Sequence, residues 1–466
     1  MPEIWLGGCF LFLVFVELLL KSSHLKNHTV SILRGLTFLM GLVMLILLLL
    51  QWNDPNGYLF HHLMYLDHKA LFFKILILLI FLAVLIHVQI NNVPLPVEFY
   101  SILVTVVLGL CLMTMAVNGL SIYLSVELVS VGSYLVASLG NSKKSGESGL
   151  KYLLFGALSS AIMLYGLSFL YGMTGTLDLT SEVFAIHLAE NHSTIVLIVG
   201  LFTLAGVLFK LSLVPFHIWT PDVYEGVPTP VVAFLSTAPK AAALLVFMRL
   251  LSVLSTDFQS LLAIIALVSI LIGNLSALWQ TDLKRLLAYS GIAQAGFILV
   301  GLVAFNKMGF EGATFYMVIY ITMNLAAFLL VDLIGQGDTD FDALAGKGAK
   351  LPFLSICFTI VVIALVGLPP TAGFMAKLFV FSSLWSSYQA EGNHLLLVLL
   401  VVGLLNAVVS LFYYLKIPFY LFFRTEKQTI FHKTPFLGRI VVCITTILLI
   451  VLFIKADWLM DWIKLL

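Results

Sequence analysis

The feature that most limits this chain is a succession of apolar runs of about 20 residues, each long enough to cross a bilayer as a helix. Short polar or Gly/Pro breaks separate them. Of 466 residues, 61% are hydrophobic and only 10% charged, where a soluble domain carries about a quarter charged. The composition predicts an all-α polytopic membrane protein. A net charge of +1 leaves no basic field to recruit nucleic acid or an acidic partner.

The breaks place about 14 helices, near 3–21, 30–51, 69–91, 98–117, 119–140, 149–173, 194–219, 228–253, 258–279, 284–305, 309–335, 351–386, 394–422 and 437–456. The start, Met1-Pro2-Glu3, lacks a basic n-region and a small-residue cleavage site, so it is expected to open the first helix rather than a signal peptide. Loop charge alternates. One set holds Lys21 and Lys26, Lys143 and Lys144, Lys284 and Arg285, Lys347 and Lys350, then Arg424, Lys427, Lys433 and Arg439. The other holds Asp54 and Asp67, Asp178, Glu182 and Glu190, Asp257, and Glu391. Short loops rich in Lys and Arg stay cytoplasmic, which predicts both termini on the outer side.

The four cysteines, Cys9, Cys111, Cys357 and Cys443, stand singly in apolar text. Without a CxxC pair, neither an iron–sulfur cluster nor structural zinc is expected on this chain. The histidines do not supply two facing ligands at membrane depth, which argues against haem. The sequence thus points to a chain with no redox centre of its own.

Two stretches read as copies of one unit. Around 201–230 stands TLAGVLFKLSLVPFHIWTPDVYEGVPTP, and around 361–380 stands VVIALVGLPPTAGFMAKLFV. Each sets prolines inside a hydrophobic span with a lysine beside the break. Proline removes a backbone donor and opens the helix, and such backbone persists at membrane depth only where protein or water satisfies it. The copies occupy the seventh and twelfth spans, so the units are helices 4–8 and 9–13, two inverted five-helix repeats. Secondary transporters place ion sites at interrupted helices of this kind. The expected divisions are an N-terminal three-helix segment 1–97, repeats at 98–257 and 258–423, and a C-terminal helix in 424–466.

Five ionisable residues lie inside spans: Glu127, Lys151, Lys210, Lys240 and Lys377. Each such charge costs about 2.5–3.5 kcal/mol even on the lenient insertion scale. Ser130 and Tyr134 share the Glu127 face by helical spacing. His217, seven residues after Lys210, is expected along the Lys210 face as a proton relay. Lys240 follows Pro239, and Lys377 follows Pro369, Pro370 and Gly373. An ammonium in low dielectric holds its proton weakly, and a carboxylate at 4 Å restores about 4 kcal/mol at an effective dielectric of 20. Moving such a carboxylate releases a proton, which is what a pump needs. The competing expectation is a set of static pairs that lock helix packing. Lys151, at the start of its helix, can also snorkel to the surface. Lys74 and Arg249 are expected to snorkel, and Glu17 has no assigned role.

At these residues a family resemblance becomes specific. FKLSLVPFHIWTPDVYEGVPTPVVAFLSTAPKAAALL (209–245), QTDLKRLLAYSGIAQAGF (280–297), GLPPTAGFMAKLFVF (367–381) and KYLLFGALSSAIMLYGLSFLYGMTGT (151–176) resemble the antiporter-like membrane subunits of bacterial complex I, the proton-pumping NADH:quinone oxidoreductase, in their subunit N branch. The resemblance covers nearly the whole chain. It implies that Glu127 pairs with Lys210, that Lys240 and Lys377 complete a hydrated axis, and that Lys151 matches the sixth-helix lysine; the mechanism expected on these residues is that Lys240 passes the proton toward Lys377. It also implies a bacterial inner-membrane location, other membrane-arm subunits as partners, and no cofactor here: NADH, FMN, iron–sulfur clusters and quinone belong to other subunits. Relatives among the larger complex I subunits and Mrp-type antiporters show a PFH-x-W-LP-x-A-H pattern, where this chain has Asp222, Tyr224 and Glu225. They also tend to carry a histidine where this chain has Gln294. The alternatives are a subunit of a Mrp-type cation/proton antiporter, a redox pump fed by ferredoxin, a reduced deazaflavin or hydrogenase, and a passive scaffold.

Overall fold

A computed structural model describes residues 2–21, 28–140, 142–253, 258–425 and 434–466. Of the loop charges used for orientation, Lys26, Asp257, Lys427 and Lys433 lie outside the described residues. Among those described, thirteen helices are long and apolar enough to cross a membrane. The chain is a multi-pass membrane protein.

The residue contacts divide it into two compact units. The first comprises Met1–Ile86, Val93–Leu211 and Gly226–Asp257; the second comprises His87–Asn92, Ser212–Glu225 and Phe258–Leu466. In the first, α1 (Pro2–Lys21) and α2 (Thr29–Gln51) precede a two-stranded antiparallel hairpin, β1 (Gly57–Leu59) and β2 (Met64–Leu66). Then come α3 (His68–Asn91), whose last turn groups with the second unit, α4 (Glu98–Met115), α5 (Gly119–Ser138) and α6 (Lys143–Thr174). The short α7 (Glu182–Glu190) leads to α8 (Ser193–Leu211). After the break comes α9 (Trp219–Gly226), which groups with the second unit up to Glu225, then, back in the first, α10 (Thr229–Leu235) and α11 (Ala238–Leu251).

Helix α4 packs on α1 and α5, α5 on α6, α6 on α8, and α11 on both α8 and α4. The α10–α11 stretch is 94% buried, against 28% for α1 and for α2. Small side chains at Ala238 and Ala241–Ala243 let neighbouring helices approach it. Helix ends carry their own caps. Asn118 accepts from the Leu120 backbone N–H and closes a capping box with Ser121, and Ser142 accepts from the Ser145 N–H to start α6.

The second unit contains α12 (Phe258–Ala277), α13 (Leu283–Val303), α14 (Lys307–Gly335), α15 (Lys347–Lys350), α16 (Pro352–Val366), α17 (Ala372–Glu391), α18 (His394–Tyr414), α19 (Lys416–Phe423), α20 (Phe436–Ile454) and α21 (Ala456–Lys464). Its most intimate pair is α12 with α13. A Cβ on Gly273 would come within 2.6 Å of the Ala293 backbone nitrogen, and one on Gly296 within 2.8 Å of Ile270 Cγ1. Glycines at both sites let the two backbones touch. Helix α14 packs on α13, α16, α17 and α20.

Four features depart from the sequence reading. The expected span at 351–386 is two helices, α16 and α17, separated at Gly367–Thr371; α16, at 15 residues, is shorter than a full crossing. The seventh span ends at Leu211, not near 219, because Ser212 turns to a φ of +61° before Pro215. The eighth is cut between Leu235 and Ala238, where Pro239 cannot donate into a continuing ladder. The β-hairpin is a small exception to an all-α chain: the Ser121 hydroxyl donates to the Leu63 carbonyl at 2.5 Å, tying the hairpin to the start of α5.

Candidate functional site

In the first unit the site is built where α5, α6 and α8 meet. Lys210, in the last turn of α8, is 2% exposed, and its ammonium has no hydrogen-bond partner. The Oε1 of Glu127, from α5, is likewise buried and unpartnered. The two charges are within electrostatic reach of each other. Aromatic rings line the ammonium: it lies 5.9 Å from the Tyr134 ring centre, 5.8 Å from Tyr152 and 5.9 Å from Phe209. Such faces stabilise a cation by about 0.5–2 kcal/mol each, yet they neither donate nor accept a proton as imidazole or carboxylate would. Buried polar atoms in proteins are nearly always hydrogen-bonded. A buried ammonium and a buried carboxylate oxygen left without such bonds, on two helices that both pack against α6, are the candidates for groups whose charge changes.

The remaining expected residues fall differently. Lys240 is 1% exposed in the first turn of α11. The break before it is stitched locally, since the Ser236 and Thr237 hydroxyls both donate to the Ala233 carbonyl, at 3.1 and 2.6 Å. Lys151 is not brought into the buried group. Its side chain is 39% exposed and pairs with Glu147 at 2.8 Å. Its neighbour Tyr152, one residue further round α6, turns inward instead, and it is the residue the sequence reading missed. Successive residues sit about 100° apart round a helix, so Lys151 and Tyr152 can face differently, but which of them faces the bundle is set by how α6 packs and not by the sequence.

His217 lies half-buried in the 212–218 break, which belongs to the second unit. The helical spacing that would align it with Lys210 ends at Leu211, so the expected shared face is not a helical one. The backbone of the break is held by the Val214 N–H donating to Ser269 Oγ at 3.0 Å. Beyond it, Arg285 donates to both Asp222 and Glu225, each at 2.8 Å, and Lys284 donates to the Glu225 carbonyl at 2.7 Å. The two acids that replace the histidine-bearing pattern are therefore clamped by the first turn of α13.

The second-unit site surrounds Lys377 on α17, which is 6% exposed. Its ammonium donates to the Val366 carbonyl at 2.6 Å and lies 4.4 Å from the Phe297 ring centre. Val366 is the last residue of α16. A helix C-terminus leaves carbonyls without intrahelical donors and carries the negative end of the macrodipole, so the broken helix supplies the counter-charge that a carboxylate would otherwise provide. Gly367 makes this possible: its φ is +83°, and a Cβ there would sit 2.7 Å from Lys377 Cδ.

Two expectations of snorkelling do not hold. Lys74 is wholly buried, 2.5 Å from Glu3 Oε1 and 3.0 Å from Met115 Sδ. Arg249 donates to Asp67 Oδ1 at 2.9 Å and to the Thr114 carbonyl at 3.1 Å. Both cations found partners contributed by distant parts of the chain, which a reading of single helices does not reveal. A further buried pair joins His87 to Asp332 at 2.8 Å. Glu17 is buried on α1. Among the described residues no group of three or more His, Cys, Asp or Glu side chains could hold a metal ion, and the four cysteines are free thiols.

Comparison with known proteins places this architecture. Residues 116–405 match the family described as NADH:quinone oxidoreductase/Mrp antiporter, TM. The NADH-quinone oxidoreductase subunit N 2 of Chloroherpeton thalassium is 38% identical over 454 residues, covering 92% of this chain and 85% of that protein. A chain of respiratory complex I from Thermus thermophilus superposes with a TM-score of 0.83 at 30% identity, covering 99% of both. A chain of the Mrp complex from a Dietzia species reaches the same TM-score at 17% identity, covering 98% of this chain and 96% of that one, a likeness of fold alone. The fold is thus shared with an antiporter complex, but sequence identity follows subunit N along almost the entire length, and the chain belongs to the NADH-quinone oxidoreductase subunit N family.

Proposed function

We propose that this chain carries protons across a bacterial inner membrane as a membrane-arm subunit of NADH:quinone oxidoreductase, with both termini on the outer side. The observation that carries the reading is that the Lys210 ammonium and the Glu127 Oε1 are both buried without a hydrogen-bond partner while Lys210 feels the Glu127 charge. A static structural pair would have closed into hydrogen bonds, because leaving them unmade costs several kcal/mol. In the proposed cycle the Glu127 charge holds the proton on Lys210, and loss of that charge releases it. Lys240 in the first unit and Lys377 in the second are further proton-carrying positions, with His217 a relay in the break. In this reading NADH, flavin, iron–sulfur clusters and quinone reside on other subunits.

The test uses the intact complex. Purified through a tag on this chain, it should bring an NADH-binding flavoprotein and iron–sulfur subunits. Reconstituted in liposomes, Glu127→Gln should assemble normally and pump fewer protons per NADH oxidised. An unchanged proton-to-electron ratio in that variant would sink the reading, and co-purification with antiporter-like chains alone would move it to a gradient-driven exchanger.

A further inference from the structure

Gln294 occupies the centre of a closed polar cluster in the second unit. Its Nε2 donates to the Leu365 carbonyl at 2.8 Å and approaches the Tyr414 hydroxyl at 3.5 Å, while Tyr316 donates to its Oε1 at 2.6 Å. Tyr414 in turn bonds to Ser290, on the same helix as Gln294. Gln294, Tyr316 and Tyr414 are all buried. The orientation of the amide is dictated by its partners: a carbonyl only accepts, so Nε2 must face Leu365, which leaves Oε1 for Tyr316 and makes that tyrosine the donor.

Leu365 and Val366 are consecutive residues at the open end of α16. One carbonyl is taken by Gln294 and the next by Lys377. We infer that Gln294 is a positioning residue for Lys377: it fixes the broken end of α16, so that the Val366 carbonyl stays aimed at the ammonium as Lys377 gains and loses its proton. An amide does not titrate in water, so Gln294 holds this geometry without competing for the proton. Tyr316, supplied by α14, and Tyr414, supplied by α18, lock the amide from two further helices. When the proton leaves Lys377, the neutral amine can still donate to Val366, and the α16 end does not have to re-form.

This assignment rests on the proton-carrying reading of the chain, and the variants separate the two. In the assembled complex in liposomes, Gln294→Leu should leave NADH oxidation by the uncoupled enzyme intact and lose most of the proton uptake per NADH. Gln294→His should restore it, because one imidazole nitrogen can donate to Leu365 while the other accepts from Tyr316. A merely space-filling role would favour the leucine over the histidine. Wild-type uptake in Gln294→Leu, or no rescue by histidine, overturns the assignment. If Gln294→Leu does not assemble, Tyr316→Phe removes one lock at nearly constant volume, and wild-type uptake there overturns it equally. Lys377→Leu is the control. A defect in that variant beside a normal Gln294→Leu sinks only the positioning role, whereas normal pumping in both removes Lys377 from the proton-carrying reading itself.

Discussion

The lysine of α8 and the lysine of α17 stand beside the same kind of break and are treated in opposite ways. Lys210 has no hydrogen-bond partner and answers to a carboxylate on another helix. Lys377 is satisfied by the backbone of the break beside it. In the first unit the counter-charge is a side chain that can itself be neutralised. In the second it is a helix end, a fixed partial charge equivalent to about half an electron. The difference teaches that an interrupted helix does not by itself define the electrostatics of an ion site; what the open end faces does.

Replacing each lysine with leucine breaks or sharpens this comparison most strongly. Exchanging Lys210 together with Glu127, as Lys210→Leu with Glu127→Gln, should abolish proton uptake while leaving the complex as heat-stable as the parent or more so. Removing a buried charge pair in favour of apolar or neutral groups is commonly neutral or stabilising by about 1–4 kcal/mol. Lys377→Leu should also stop pumping but cost stability, about 1–3 kcal/mol, because the Val366 carbonyl loses its donor. Equal thermal shifts in the two variants, read by melting of the detergent-solubilised complex, would erase the distinction.

A backbone change should act next. Gly367→Ala places a β-carbon at a φ of +83° and against the Lys377 stem, which should lower stability by about 1–3 kcal/mol and reduce pumping without removing any titratable group. A variant that melts and pumps like the parent would mean that the break is more pliable than its geometry implies. The smallest effect is expected from Lys151→Met. Its exposed pair with Glu147 contributes at most about 1 kcal/mol, and proton uptake should stay close to wild type. A loss as large as that of Lys210→Leu would bring Lys151 back among the proton carriers.

Much of this was legible in the text of the chain, for reasons that are local. A run of apolar residues makes a span wherever it lies, and prolines at 215, 239, 369 and 370 interrupt their helices through their own missing N–H groups. The candidate lysines stand out because charge in such runs is costly. What periodicity could not supply was facing. Tyr152 rather than Lys151 looks inward, and Lys74 and Arg249 are pinned rather than snorkelling, because each outcome depends on how a helix is rotated against neighbours remote in sequence.

By itself, then, the sequence determined that this chain fills a membrane, where its helices open, and which charges it must shelter, since hydropathy, proline chemistry and the cost of a buried ion all act over a few residues. Only the tertiary structure decided the partners of those charges. Glu3 meets Lys74, Asp67 meets Arg249, and Gln294 and Lys377 divide the two carbonyls at the end of α16. These contacts join segments from 11 to 182 residues apart, and they exist because packing brings together side chains that no local rule relates.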